Sequence, residues 1–213
     1  AINTSFHEEQ VKFVFGGVKI VDHLSFFSRL QELEFSSLIG SGAATWGLGF
    51  PTMCNGANLA YRKSAFLEVN GFEGNFEIAS GDDEFLMRKI AKRFPGSISF
   101  LNDKNAVVVT QPQATFKDFV NQRLRWAGKW KYNPSLTSTS LAFFILFFHG
   151  IFLMTIGLVM FGKIELSTAI ALLSCKILLE FIFLLPVSSF LDQKVRLHYF
   201  LALQFIHPFY VIV

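Results

Sequence analysis

Cysteine is nearly missing from this chain: Cys54 and Cys175 are the only two thiols in 213 residues. One lies in a polar stretch and the other inside an apolar run, so a disulfide framework is excluded and a reducing compartment is the default. No signal-peptide pattern is present, and the chain starts at Ala1 rather than Met. There is no internal repeat and no low-complexity tract. Net charge is small too. The 19 Lys+Arg and 16 Asp+Glu leave +3, evenly spread, which argues against a nucleic-acid partner. His7, His23, His198 and His207 show no metal-ligand spacing and read as structural.

Charge of either sign runs out along the chain. After Ser135 only Lys163, Glu165, Lys176, Glu180, Asp192, Lys194 and Arg196 are charged. Hydrophobic residues make up 52%, with 27 Phe. The mean hydropathy of +0.43 lies above that of an ordinary soluble domain. The sequence therefore divides into a soluble part over 1–135 and a membrane part over 136–213.

Within the soluble part, 12–20 (KFVFGGVKI) reads as a buried strand broken by Gly-Gly. An amphipathic helix is predicted over 21–39, with Leu24, Phe27, Leu30, Leu33 and Leu38 toward the core. The Gly-, Ala- and Pro-rich 40–55 reads as a loop. A short strand over 57–61 and a short helix over 63–69 follow, the helix ended by Asn70-Gly71. A polar loop over 74–81 leads into a helix over 82–93, stopped by Pro95-Gly96. Strands over 97–101 and 106–109 precede an amphipathic, interfacial helix over 115–131. Strands alternating with helices predict an α/β layer fold.

Apolar runs over 141–161 and 164–187 are each about a membrane thick, and 199–213 reads as the start of a third. Lys129 and Lys131 precede the first run, and Lys194 and Arg196 separate the second from the third. By the positive-inside rule both loops face the cytoplasm. The expected location is the cell membrane, multi-pass, with the soluble part in the cytoplasm. Both chain ends look cut, which predicts a fragment of a longer protein.

Two motifs carry chemistry. Asp82-Asp83-Glu84 opens a helix, where acids are favoured by the dipole. Asp83 stands three and four residues before Leu86 and Met87, above the core-facing stripe. It is the carboxylate best placed as a general base, while Glu84 is expected to pair with Arg88 in solvent. The second motif is Gln122-Arg123-Leu124-Arg125-Trp126. On a helix Gln122, Arg125 and Trp126 share one face. Arg holds diphosphate oxygens bidentately, and the indole gives a flat surface for a sugar ring. The competing reading of this block is an interfacial helix anchored by Arg and Trp.

The order GANLAYRK (56–63), Phe66, Gly71-Phe72, GDDEFL (81–86) and QRLRW (122–126), followed by membrane helices, resembles a family 2 glycosyltransferase. It is similar to the membrane-attached type with a Q-x-x-R-W motif, such as cellulose, hyaluronan and ceramide-glucoside synthases. The resemblance runs over essentially the whole chain. It implies a partial GT-A (Rossmann-like) domain followed by transmembrane helices. The implied reaction is inverting transfer from a nucleoside-diphosphate sugar, a UDP-sugar foremost, to a lipid or saccharide acceptor. By the same resemblance Asp82-Asp83 matches the acid-Asp pair, with Asp83 the base. Gln122, Arg125 and Trp126 match the positions lining the diphosphate and acceptor end. Asn58 matches the segment below the donor sugar. The family also carries a nucleotide-binding first half ending in an Asp-x-Asp metal motif, which has no counterpart here. The ligands of the implied Mg or Mn are therefore expected outside this chain, and residues 1–213 alone are expected to be inactive.

Lys176 and Glu180, at i and i+4 in the second run, read as a neutralising pair facing the other helices, or as part of an acceptor path with His149. Trp46 reads as a packed loop aromatic and Trp130 as an interface anchor. Two other classes stay open. One is a catalytically silent membrane subunit that binds a partner or senses a nucleotide. The other is a transporter-like protein centred on Lys176 and Glu180.

Overall fold

A computed structural model describes residues 2–21, 25–75, 81–128 and 136–211. After a short turn of helix, α1 (Ile2–Ser5), the 12–20 run forms two strands, β1 (Phe13–Gly16) and β2 (Val18–Ile20), parted at Gly17. β1 is the centre of a three-stranded sheet. It pairs antiparallel with β3 (Leu59–Tyr61) and parallel with β4 (Ile98–Leu101). β2 pairs parallel with β5 (Val108–Thr110). Alternation along β1 sends Phe13 and Phe15 to one face and Val14 to the other. The first face packs on α3 (Lys63–Glu68) and α4 (Asp82–Arg93) through Ala65, Val69, Leu86, Met87 and Ile90. Val14 packs with Val11 and Leu101. Asn70 and Gly71, with φ of 56° and 47°, turn the chain out of α3.

The helix predicted over 21–39 is α2 (Phe26–Gly47), capped at its start by the Ser25 hydroxyl, which accepts from the Ser28 N–H. It continues through the stretch read from sequence as a loop. The small residues there serve packing. A Cβ on Gly40 would stand 2.6 Å from Val187 Cγ2, and one on Gly42 3.0 Å from the Met53 carbonyl oxygen. Trp46 accordingly lies in a helix, where its indole N–H donates to the Ile98 carbonyl at 2.8 Å. Leu24 and His23 lie outside the described residues.

At 22 residues α2 is about 33 Å long, and it touches three cores in turn. Leu30 and Leu33 pack with Leu184, Phe200 and Leu203; Phe35 packs with Val18 and Ile20; Trp46 joins the core behind β1. The helix is buried nearly all round, Arg29, Gln31, Glu32 and Glu34 included. That is why its hydrophobic stripe is weaker than the sequence reading supposes.

Three apolar helices follow α5 (Phe116–Gly128): α6 (Leu136–Met160), α7 (Leu166–Phe190) and α8 (Leu197–Val211). α6 and α7 are long and apolar enough to cross a membrane. Only 17% and 11% of their most apolar windows are buried inside the protein, unlike a core helix of a soluble domain. The loop after α7 locks onto the α/β part. Gln193 donates to the Ile20 carbonyl and accepts from the Ser36 hydroxyl, and Gly17 leaves room for Phe190. The interface anchors Lys129, Trp130 and Lys131 lie outside the described residues, as does most of the polar loop over 74–81.

Candidate active site

Gly81, in the left-handed region at φ 90°, delivers the chain into α4. Leu86, Met87 and Ile90 bury one stripe of that helix and so fix its rotation. Asp82 is exposed, whereas Asp83 is half-buried and turned to the loop before β3. Its Oδ2 accepts the Gly56 N–H at 2.8 Å and its Oδ1 accepts the Glu84 N–H at 2.8 Å. Two backbone donors thus set the carboxylate plane, and each oxygen keeps a lone pair for a further proton. Glu84 does pair with Arg88, at 3.9 Å, but its side chain is only 14% exposed, so the pair is not the solvated one expected.

Asn58 is buried, and its amide nitrogen donates to the Gly17 and Ala106 carbonyls, both at 2.8 Å. It stitches the β1–β2 break to the turn before β5. A Cβ on Gly16 would meet that nitrogen at 2.7 Å. Asn58 also lines an open cleft of about 490 Å³ with Asn3, Asn105 and Val108. Its donors are used by the fold, so only the amide oxygen is left to a ligand.

Gln122, Arg125 and Trp126 all lie in α5 and so share a face, as the spacing predicts. Arg125 is exposed and has no ion-pair partner among the described residues. Trp126 differs from expectation. The Arg123 guanidinium lies 4.4 Å from its ring centre, and the ring packs against Val18, Ile20 and Phe35. The indole is therefore not an open platform for a sugar ring. Sequence reading gave no role to the residue that covers it, Arg123, nor to the partner of Arg123, Glu34. Only the position of Arg123 inside the motif could have pointed to it.

Asp83 is held by the loop before β3, and the Q-x-x-R-W residues by α2 and β2. Among the described residues no three His, Cys, Asp or Glu side chains gather to hold a metal ion. In the apolar helices Lys176 donates to Glu180 at 2.7 Å and to Gln204 at 2.8 Å, and lies over Phe148 and Phe152. His149 and His207 meet at 3.1 Å beside them. The neutralising-pair reading fits this geometry.

A family model described as Glycosyl transferase family group 2 matches residues 2–191. Comparison with curated proteins gives no match.

Proposed function

The chain belongs to glycosyl transferase family group 2, and from that premise we propose that it forms the acceptor side of an inverting hexosyltransferase at the cytoplasmic face of a membrane. Glycosyl transfer is the family's reaction. The donor is a nucleoside-diphosphate sugar, a UDP-sugar first, and the acceptor a lipid or saccharide.

The observation that carries the reading is the half-buried Asp83 carboxylate, pinned by the Gly56 and Glu84 N–H groups at the first turn of α4. A base must be held in one orientation before its proton arrives. Asp83 takes the proton of the acceptor hydroxyl. That oxygen bonds to the anomeric carbon from the face opposite the leaving group. The bond from that carbon to the diphosphate breaks, and its electron pair stays on the diphosphate. Configuration inverts. Arg125, exposed and without an ion-pair partner among the described residues, is the cation that offsets the charge developing there, with Gln122 and the Trp126 N–H as neighbouring donors.

The largely exposed apolar surfaces of α6 and α7 support a lipid setting. They favour an acceptor at the bilayer surface. The isolated 213-residue chain is proposed to be inactive, since no Asp-x-Asp motif occurs in it. The test offers UDP- and GDP-sugars with Mg²⁺ or Mn²⁺ to the full-length protein in membranes. Transfer from one donor names the substrate. Nucleotide binding without any transfer would favour the silent-subunit reading.

A further inference from the structure

Arg123 sits between the two motif residues that the reaction scheme uses as neutral donors, and it touches both. Its Nε and Nη2 donate to the two oxygens of Glu34 at 2.8 and 2.6 Å, a forked pair spanning 89 positions of sequence. Its Nη1 donates to Gln122 Oε1 at 2.7 Å. Its Cζ lies over the Phe119 ring, 4.4 Å from the ring centre, and over the Trp126 ring, also at 4.4 Å. Glu34 is 5% exposed and Arg123 17%, so water screens the pair little. A forked guanidinium stacked between two rings has one orientation available.

We propose that Arg123, fixed by Glu34, is a positioning residue that sets the Gln122 amide and the Trp126 N–H edge for the leaving diphosphate. This rests on the reading of α5 as the diphosphate and acceptor side. Arg123 can only donate, so the side of Gln122 that meets it must be the carbonyl. Both Nε2–H donors of Gln122 then remain for oxygens of the substrate. Without Arg123 the amide is free to turn over and present its oxygen to an anion. Trp126 is held in the same way: one face is covered, and its N–H edge is given one direction. Glu34 belongs to α2, which also packs on α7 and α8 through Leu30 and Leu33. The brace therefore references the motif to the membrane helices rather than to α5 alone.

The experiment uses the full-length protein in membranes, with variants Glu34→Gln, Arg123→Lys and Arg123→Met, and two readouts. One is acrylamide quenching of Trp126, isolated as the difference from a Trp126→Phe protein. The other is kcat and KM per folded protein. Glu34→Gln keeps the shape of the side chain and is the variant least able to unfold the domain. The proposal predicts greater quenching in all three variants. It also predicts a kcat lower by roughly 10–100-fold, the size expected of a displacement near 1 Å, with KM changed far less. Arg123→Lys should not rescue, since an ammonium neither forks nor stacks. Quenching that rises while kcat holds would overturn the positioning role and leave the transferase reading intact. Unchanged quenching would overturn the brace itself, whatever the protein transfers. A lower yield of folded protein with unaltered kcat would reduce the pair to a structural one and also overturn the proposal.

Discussion

The Gly56 N–H donates to Asp83 Oδ2 at 2.8 Å, and that contact ties the loop before β3 to the first turn of α4. It joins two stretches that sequence reading treated separately, GANLAYRK and GDDEFL. The loop that carries Asn58 is thereby held against the carboxylate assigned as base. Asp83→Ala removes the acceptor of both the Gly56 and the Glu84 N–H. We expect a loss of about 1–2 kcal/mol in stability, measured by thermal unfolding in detergent. Asp83→Asn keeps one acceptor oxygen and should lose less.

Arg125 has no ion-pair partner among the described residues, so its charge serves no fold contact seen there. Arg125→Ala should leave the melting temperature unchanged while transfer falls by about 10²–10³-fold, the range for removing one preorganised donor. Steady-state kinetics beside a melting curve checks this. A parallel fall in both would mean that Arg125 is structural.

Gly40 and Gly47 lie in the same helix and offer a paired test of docking. A Cβ at Gly40 meets Val187 Cγ2 at 2.6 Å and Phe183 Cζ at 3.0 Å, whereas one at Gly47 meets nothing within 4 Å. Gly40→Ala is expected to cost about 1–3 kcal/mol through overpacking against α7. Gly47→Ala should be neutral or stabilising by a fraction of ~1 kcal/mol. Thermal unfolding of the two variants, with protease sensitivity between the α/β part and α7, separates them.

Much of this architecture can be read from the sequence, and the exceptions have physical causes. The α4 boundaries, Asp82 to Arg93, follow from an acidic first turn, a clear apolar stripe and Pro95 beyond it. The Asn70-Gly71 stop and the Gly-Gly break in the first strand were equally legible, because positive φ and close approach leave few residue choices. α2 was cut short because Gly40 and Gly42 resemble loop glycines, while their role is contact with partners far away in sequence. The Arg123–Glu34 pair was hidden for the same reason: nothing near Glu34 marks it. Trp126 was identified as a motif residue, but the cover over its ring depends on tertiary packing that helical spacing cannot supply.

Lys176 donates to Glu180 and Gln204, linking α7 to α8 while lying over the α6 rings. If that cluster is a structural latch, Lys176→Met alone should destabilise strongly, by about 3–5 kcal/mol, because Glu180 is left without its cation in an apolar bundle. Lys176→Met with Glu180→Leu should recover much of the loss. A double-mutant cycle in lipid nanodiscs measures the coupling. Loss of transport in a flux assay, with stability intact, would favour the transporter reading.

The central claim is that Asp83 removes the acceptor proton. Single-turnover transfer by Asp83→Asn in the full-length protein reconstituted in lipid, with donor binding measured in the same sample, is the sharpest check. Donor binding should be kept while the chemical step slows by about 10²–10⁴-fold, the usual contribution of a general base. A chemical step within a few-fold of the unaltered protein would contradict it.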